Sequence, residues 1–521
     1  MEKRYFFAAL IVIILFLVYS IFLSFGSLEG TPKSLTGNPH FPYLQEKPLS
    51  EDGYYMMTIA WNIAEGKGFK YNYGIKTTGV QPLATIIYSV PAFLVQKFNG
   101  GKYLFARMVI ILSALLEIVF AFLVYLLARE ISKSKDKGLI FLISFCVVLL
   151  NFKVLLNFAN GLETGLYLIL LSLFLLYWIK YKTMELKIAH LIGLGLLTGL
   201  LLLCRLDSAI LLFTFYLLLL YKNRIRLKYL VSIVIIALLL YLPWQLYVWN
   251  VTGNLLQSSA RSQTALLAFF NLPYKFEQYF SSIIQHFTPF LFTGNILLWL
   301  MFPMGIVYLA VLIRLYVRRR SFIIPLSTEK IIGMILISFS ALAIIYFFFS
   351  SAPHFYFRYT AYLMVLSFPV IVVLFADIIK KLNPLLIYLA LIILLINFGI
   401  QAYLYLHSGN SARAFTVRVE FVNNNFSENA RIAAFQTGVL GYYCDNVFNL
   451  DGKIDNSALE SFSNGGIGKY IDKMNIDVLM EWKDFVPVLF KRDYLDKYWK
   501  LYAKDIGDGR TCCYVRKNLK L

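Results

Sequence analysis

Apolar runs that approach the length of a bilayer crossing recur through residues 1–405, and they constrain the fold more than any other feature. The first covers residues 5–25. Ten more are predicted near 104–128, 138–156, 164–180, 188–204, 208–221, 229–249, 291–313, 331–350, 360–379 and 383–405. Because lipid offers no hydrogen-bond partners, such runs predict transmembrane helices. We therefore expect a polytopic all-α membrane protein with about 11 spans.

The composition supports this prediction and excludes other classes. The chain of 521 residues is 59% hydrophobic and 15% charged, with a mean hydropathy of +0.67. A net charge of +20 would suggest nucleic-acid binding in a soluble protein. Here it indicates basic cytoplasmic loops and affinity for anionic lipid or phosphate, with no nucleic-acid partner. The five cysteines show no metal-ligand spacing, which excludes a zinc ribbon.

The distribution of Lys and Arg predicts the orientation. Residues 82–96 are apolar, but the run is short and carries Pro91, which favours a re-entrant or interfacial helix. If it does not cross, the loops REISKSKDK, KYKTMELK, KNRIRLK, RLYVRRRS and KKLN all fall on the side of Lys3 and Arg4. The positive-inside rule then places the N-terminus in the cytoplasm. Residues 26–103 become the first external loop.

The tail differs from the rest of the chain in composition. Residues 1–405 are predicted to form the transmembrane module and residues 406–521 an external α/β domain, with strands near 431–435, 447–450, 477–480 and 512–515. The domain would recognise an acceptor or cap the active site. Its turn-rich stretch from Asn449 to Asn456 would face the catalytic loop or simply connect elements. Cys444, Cys512 and Cys513 could include one disulfide.

Two adjacent acids, Glu51 and Asp52, open the longest polar interruption of residues 1–405. Ser50 before them is a plausible N-cap, and the helix dipole alone favours acids in a first turn. Alternatively, mutual repulsion and burial raise the pKa of at least one of them toward the range of a general base.

Further charges fall at predicted corners on the same side. Glu163 lies in NGLETG, where a span restarts, and Arg205 and Asp207 interrupt the long apolar run 188–221. Residues two apart on a helix do not face each other, so Arg205 and Asp207 are not expected to pair. If these charges have no function, Glu163 is an acid in the first turn of a helix, and Arg205 and Asp207 mark a solvated corner.

Arg358 lies in SSAPHFYFRYTAY, four residues after His354, so the two share a helix face. Arg is suited to gripping phosphate, although one among aromatics also snorkels to lipid headgroups. The span middles look free of charge, unlike those of channels or transporters. The loop's aromatics suggest an interfacial belt or a sugar-stacking surface: Tyr54, Tyr55, Trp61, Tyr71 and Tyr73.

The segment SEDGYYMMTIAWNIAEGKGFKYNYGIKTTGVQPL resembles the first external loop of the GT-C superfamily of membrane glycosyltransferases. An acidic pair, an aromatic run, an N-(I/L)-A-x-G-x-G-F segment and a (T/N)-G-(V/F)-x-P-L ending recur there. The likeness is to bacterial arabinofuranosyltransferases and to protein and lipid A glycosyltransferases. The later pieces NGLETG, CRLDSA and AAFQTGVLGYY are also similar to that group.

This resemblance implies an enzyme that transfers sugar from a polyprenyl-phosphate donor to a lipid, glycan or protein acceptor outside the plasma membrane. It implies catalysis by Asp52 or Glu51, with Asp52 favoured, and a second acidic site at Glu163. The residues that it implies for binding the donor phosphate are Arg358, Arg205 and His354. Other active-site residues implied are Tyr54, Tyr55, Asn62, Gln81 and Asp207.

Two positions depart from the family pattern: Glu stands at 51, where relatives carry Asp, and Gln81 stands where many carry His. A cofactor is therefore not established, and a divalent metal remains open. Two other functions also stay open. A lipid-linked saccharide flippase or transporter predicts polar residues deep in the bundle. A non-catalytic scaffold with a sensing outer domain predicts that Glu51, Asp52, Glu163 and Arg358 do not converge.

Overall fold

The computed structural model describes residues 2–25, 48–132, 136–180, 186–265, 272–287, 326–349, 356–380, 382–407 and 413–518. Helices form the bundle up to residue 407. In chain order they are α1 Glu2–Phe25, α2 Glu51–Ala64, α3 Pro82–Lys97, α4 Lys102–Ile131, α5 Lys137–Leu149, α6 Phe152–Ala159, α7 Thr164–Lys180, α8 Ile188–Cys204, α9 Ser208–Tyr221, α10 Leu227–Thr252, α11 Ser258–Ala265, α12 Leu272–Phe287, α13 Leu326–Phe349, the single turn α14 Tyr356–Tyr359, α15 Met364–Ile379 and α16 Pro384–His407.

The described helices confirm a multi-pass membrane protein. Six are long and apolar enough to cross a bilayer, or seven when the bent pair α5 and α6 counts as one span. Helices α7, α8 and α9 are apolar but shorter. The predicted span at 291–313 lies outside the described residues. The short helix α3, with 16 residues, falls below the length of a span.

The predicted single span at 138–156, with a corner after it, is wrong in detail. Helix α5 ends at Leu149, and α6 restarts at a 63° angle and runs to Ala159. Asn151 accounts for the break, because its side chain accepts a hydrogen bond from the backbone N–H of Lys153. A side-chain cap of this kind begins a new helix inside a run whose apolar composition looks continuous.

The prediction that the span middles are free of charge is also wrong. Glu117 lies near the middle of α4 and is fully buried, and Lys153 in α6 is 7% exposed. Neither the Glu117 carboxylate nor the Lys153 ammonium has a hydrogen-bond partner among the described residues. Single charged residues are easily overlooked within long apolar stretches, yet they are costly in a bilayer and rarely lack a role.

The C-terminal domain is α/β, as predicted. Its elements are α17 Arg413–Asn425, β1 Ile432–Ala434, α18 Gly438–Tyr443, β2 Val447–Asn449, α19 Asn456–Ser463, α20 Ile467–Lys473, β3 Val478–Trp482, α21 Val486–Leu489, α22 Arg492–Tyr498, β4 Trp499–Ala503 and β5 Thr511–Arg516. The strands form one sheet in the order β2-β1-β3-β5-β4. The first three strands are parallel, and β5 is antiparallel to both of its neighbours. All five cysteines are free thiols, so the suggested disulfide is absent.

This domain is packed directly on α2, α3 and α4. One hydrophobic cluster joins buried side chains of α2, such as Tyr54 and Met57, to Val439 and Tyr442 of the domain. Polar contacts reinforce it: the Tyr71 hydroxyl donates to the Thr437 carbonyl at 2.8 Å. Residues more than 360 positions apart therefore share one core.

Candidate active site

The start of α2 brings the acidic pair against the corner at residues 160–163. Ser50 caps the helix, because its hydroxyl accepts from the Gly53 N–H at 3.1 Å. The Ser50 N–H donates to the Asn160 carbonyl at 2.9 Å. A Cβ atom at Gly53 would lie 2.1 Å from that carbonyl oxygen, so only glycine permits the approach. The first-turn prediction for Glu51 and Asp52 is confirmed, but these two side chains contact different parts of the protein.

Glu51 binds the C-terminal domain. Its carboxylate accepts backbone hydrogen bonds from Gly438 at 2.5 Å and Val439 at 3.0 Å. Burial raises the pKa of Glu51 to about 7, against the opposing effect of these two N–H groups. A Cβ atom at Gly438 would lie 1.9 Å from the Glu51 carbonyl oxygen. Glu51 thus serves as an anchor between α2 and α18.

Asp52 lies between two cations that come from distant parts of the chain. Lys453 Nζ is 3.2 Å from one carboxylate oxygen, and Arg358 Nη1 is 3.5 Å from the other. Burial acts to raise the pKa of Asp52, but Lys453 and Arg358 outweigh it and hold this pKa below its usual value. The Asp52 side chain is 19% exposed, so a ligand can reach it.

Arg205 and Asp207 do form an ion pair, which corrects the prediction that they would not. Arg205 Nη2 lies 2.7 Å from Asp207 Oδ2, and Nε lies 3.1 Å from Oδ1. The prediction assumed helical geometry, but α8 ends at Cys204 and Arg205 is extended, with φ −152° and ψ 118°. The turn in the backbone folds the two side chains onto each other.

Arg205 also donates hydrogen bonds to Glu163 and Tyr346. Nη1 binds Glu163 at 3.0 Å, and Nη2 donates to the Tyr346 hydroxyl at 2.6 Å. The Tyr346 hydroxyl donates in turn to Asp207. Both Arg205 and Glu163 side chains are at least 94% buried. This arrangement suits a rigid support more than a free phosphate ligand.

One aromatic ring connects the two charged clusters. The Tyr359 ring centroid lies 5.2 Å from the Arg358 guanidinium carbon and 5.7 Å from that of Arg205. Tyr359 also stacks on Tyr346 at 5.1 Å. The structure therefore brings Asp52 and Arg358 close to Arg205 and to the carboxylates that surround Arg205. The scaffold interpretation predicted no such convergence. His354 lies outside the described residues.

Three of the loop's five aromatic residues form neither an interfacial belt nor a sugar-stacking surface, whereas Trp61 is partly buried and Tyr73 is 46% exposed and stacks on Phe448. Tyr54, Tyr55 and Tyr71 are at most 2% exposed beneath the C-terminal domain. The Tyr55 hydroxyl accepts from the Thr437 N–H at 2.8 Å. A sequence pattern cannot separate such residues from an exposed sugar platform, because burial under a distant domain leaves no local periodicity.

Two polar residues of the loop have structural roles nearby. The Asn62 amide donates to the Lys70 carbonyl at 2.8 Å and closes the turn after α2. Gln81 is the residue before α3, and its carbonyl accepts from the Thr85 N–H and hydroxyl at that helix start. Both are partly buried, and neither contacts Asp52 in the described contacts.

Solved structures identify the fold. ArnT from Cupriavidus metallidurans, bound to undecaprenyl phosphate, matches with a TM-score of 0.54 and 12% identity over 97% of each chain. Its apo form gives 0.55 and 10%. The apo Archaeoglobus fulgidus oligosaccharyltransferase gives 0.51 and 14%, over 98% of this chain and 75% of that chain. The chain has the GT-C fold. No family model and no curated protein matches the sequence.

Within the described part of this GT-C fold, no three His, Cys, Asp or Glu side chains are grouped as metal ligands. The carboxylates that could serve are turned toward cations: Asp52 toward Lys453 and Arg358, and Glu163 toward Arg205. A bound divalent ion would have to displace these partners. The residues present therefore do not fit a metal, and no step below uses one.

Sequence reasoning missed two residues of this candidate site, Lys453 and Tyr346. Lys453 belongs to the turn-rich stretch that was predicted either to face the catalytic loop or to be a connection, and it faces the loop. The Asp451-Gly452 turn was the signal, since Gly452 has φ +74° and reverses the chain. Tyr346 gave no signal, because it lies within the apolar helix α13.

The raised pKa of Glu51 makes the stability of the GT-C fold depend on pH. A folded-state pKa near 7, above the ordinary 4.5 of a glutamate, means that the folded protein retains this proton more strongly than the unfolded chain. The contribution of Glu51 is therefore greatest below about pH 4.5 and falls as the pH rises through 7. We expect the melting temperature to fall less between pH 5 and pH 8 in Glu51→Gln than in the wild type. Glu428→Gln, at an exposed position, should keep the wild-type dependence, and an unchanged Glu51→Gln profile would contradict the assignment.

Proposed function

We propose that this protein is a membrane glycosyltransferase that moves a sugar from a polyprenyl-phosphate donor to an acceptor hydroxyl at the outer face of the plasma membrane. The observation that carries the proposal is the Asp52 carboxylate, partly exposed between two cations where the bundle of a GT-C fold meets its C-terminal domain. Binding of undecaprenyl phosphate by the similarly folded ArnT supports the class of donor.

The donor phosphate is the natural competitor for the cations around Asp52. In the free protein, Lys453 and Arg358 hold the carboxylate at 3.2 and 3.5 Å, longer than the roughly 2.7–2.9 Å of a strong charge-assisted hydrogen bond. A phosphate offers more oxygens and more charge than one carboxylate, so Arg358 turns to it. Asp52 then loses its counter-charge, and its pKa rises toward that of a working base.

Transfer then requires one carboxylate. The acceptor hydroxyl gives its proton to Asp52 while its oxygen forms a bond to the anomeric carbon. The bond from that carbon to the phosphate oxygen breaks, and the electron pair leaves with polyprenyl phosphate. Arg358 stabilises the charge that grows on the leaving phosphate. Attack opposite the leaving group predicts inversion at the anomeric carbon.

In this proposal, Arg205, Asp207 and Glu163 are positioning residues that orient Arg358. Their mutual bonds hold the corner between α8 and α9 against Tyr346 and Tyr359, and Tyr359 lies against Arg358. The guanidinium of Arg358 is thereby fixed from one side while its other side faces Asp52. A donor phosphate thus meets an oriented cation, which reduces the entropy lost on binding.

The alternation of helix ends supports the proposed orientation. Helix α4 begins at Lys102, which contacts Asp445 of the C-terminal domain, and its 30 residues span about 45 Å to the opposite end. The loop between α9 and α10 holds Lys222, Arg224 and Arg226 at that opposite end. By the positive-inside rule, basic loops at the end away from the domain support an external position for the domain.

The direct test is transfer itself. Purified protein in lipid nanodiscs is incubated with a panel of polyprenyl-phosphate sugars and candidate lipid, glycan and peptide acceptors. We expect acceptor-dependent release of polyprenyl phosphate with at least one donor. Asp52→Asn serves as the inactive control. Failure to bind polyprenyl phosphate in any form would overturn the proposal.

Arg358→Ala should weaken donor binding. Removing the guanidinium takes away one charge-assisted contact to phosphate, worth about 1.5–3 kcal/mol, so we expect a roughly 10- to 100-fold higher Kd for polyprenyl phosphate. Lys380→Ala is the matched control, because that residue pairs with Asp377 at 2.5 Å at the end of α15. Equal affinity in the Arg358→Ala variant and the control would discard the phosphate role.

A lipid-linked saccharide transporter is the second candidate, because Glu117 and Lys153 are the deeply buried polar residues that it predicted. Reconstitution in liposomes separates the two functions. A transporter moves labelled polyprenyl-phosphate sugar across the bilayer without an acceptor and depends on Glu117. A glycosyltransferase cleaves the donor on one side and tolerates Glu117→Gln.

A further inference from the structure

We propose that Lys453, from the C-terminal domain, is a second ligand of the donor phosphate, so that the binding site is complete only when this domain is docked. The inference rests on the proposed function and adds to it a residue outside the helix bundle. Lys453 Nζ and Arg358 Nη1 each pair with a different oxygen of the Asp52 carboxylate.

The backbone around Lys453 is held from several sides. The Ser258 hydroxyl donates to the Lys453 carbonyl at 2.7 Å, and the Ser262 hydroxyl donates to the Asp451 carbonyl at 3.0 Å. Both serines belong to α11. Gly79 lies so close that a Cβ atom there would be 1.8 Å from the Lys453 carbonyl oxygen. Two separate parts of the chain, α11 and the segment at Gly79, therefore restrict where the ammonium can reach.

The loop that holds Lys453 is also stabilised from within. The Asp451 carboxylate accepts the Lys453 N–H at 2.8 Å, and its other oxygen lies 3.7 Å from Nζ. Gly452 has φ +74°, which a residue with a side chain rarely adopts. A tight turn and hydrogen bonds with Ser258, Ser262 and Asp451 thus position Lys453 beside Asp52.

Lys453 is more available to bind a ligand than Arg205, another cation near the site. Arg205 makes short bonds to Glu163, Asp207 and Tyr346, at 3.0, 2.7 and 2.6 Å, and is 94% buried. Lys453 makes longer ion pairs and its side chain is 25% exposed. A flexible ammonium with three donors can turn from a carboxylate to a phosphate with little rearrangement. Lys453 is therefore the cation that can join Arg358 on an incoming phosphate.

The test measures binding of polyprenyl phosphate to the full-length protein in nanodiscs, without an acceptor. Lys453→Met should raise the Kd about tenfold, Lys453→Arg should recover most of the loss, and exposed Lys500→Met should have no effect. Melting temperatures recorded for each variant report on folding. Wild-type affinity in a folded Lys453→Met variant would overturn the inference while leaving the proposed function intact. Absence of binding in the wild type would overturn both.

A double-mutant cycle gives a readout that a merely structural role would not change. Asp52→Asn removes the carboxylate that competes with phosphate for both cations, so this variant should bind polyprenyl phosphate several-fold more tightly. The gain should shrink in Asp52→Asn combined with Lys453→Met. An equal gain with and without Lys453 would contradict the proposal.

Gly79→Ala checks the placement without changing any charge. The added methyl group must displace the Lys453 backbone, so donor affinity should fall toward that of Lys453→Met. Gly101→Ala is the matched control, since a Cβ atom there meets no atom within 4 Å. Normal affinity in Gly79→Ala would show that the position of Lys453 is unimportant for binding.

Discussion

Asp52→Asn is expected to lower the rate of sugar transfer by about 10²- to 10⁴-fold, the range of effects found when a general base is removed. The amide keeps the shape of the side chain but cannot accept a proton from the acceptor. Because Lys453 and Arg358 are released from a competing carboxylate, donor binding should be retained or tightened. The measurement is single-turnover release of polyprenyl phosphate at saturating donor, alongside the Kd for polyprenyl phosphate.

Glu51→Gln is the matched control, because it alters the neighbouring acid of the same helix turn. Its carboxylate contacts Gly438 and Val439 rather than the cations, so this change should mainly lower the melting temperature. Opposite results, with a near-normal rate in Asp52→Asn and a lost rate in folded Glu51→Gln, would move the base to Glu51.

Arg205→Met is expected to have the largest effect on stability. The change leaves the carboxylates of Glu163 and Asp207 buried without their counter-charge, which costs about 3–5 kcal/mol when one partner of a buried pair is removed. We expect a clearly lower melting temperature and a lower yield of monodisperse protein in detergent.

Lys67→Met is the control for charge removal as such. Lys67 pairs with Glu65, but the two side chains are 59% and 32% exposed, and such surface pairs contribute about 0–1 kcal/mol. Combining Arg205→Met with Glu163→Gln and Asp207→Asn should recover part of the loss, since no unpaired charge remains buried. Similar melting temperatures for the Arg205→Met and Lys67→Met variants would show that the network is not a structural support.

The sequence predicted the membrane class, the α/β tail and four of its five strands, because each of these leaves a local pattern. Strand β4 was missed: it follows α22 without a turn residue, and its exposed middle, from Lys500 to Tyr502, shows no inside–outside alternation. As an edge strand it depends on pairing with β5, which a local pattern does not reveal.

The candidate site was predicted in its acids and its arginines but not in how they pair. Helical spacing suggested that Arg205 and Asp207 would point apart, but both lie in the break between α8 and α9, where the backbone is not helical and the side chains pair. The pairing of Lys453 with Asp52 was missed for a different reason: the two residues are 401 positions apart, and no local rule pairs residues at that separation. The same distance explains why the buried tyrosines of α2 looked like a surface for sugar.

The 401 positions between Asp52 and Lys453 also determine when, during synthesis, the protein becomes able to bind its donor. Asp52 and the helices behind it are made first, whereas Lys453 follows 401 positions later in the chain. If Lys453 holds the donor as proposed, a nascent or truncated polypeptide carries the reactive carboxylate but cannot grip its lipid substrate. Activity then begins only after the turn that carries Lys453 has been made, and translation products that end before it remain inactive in the membrane.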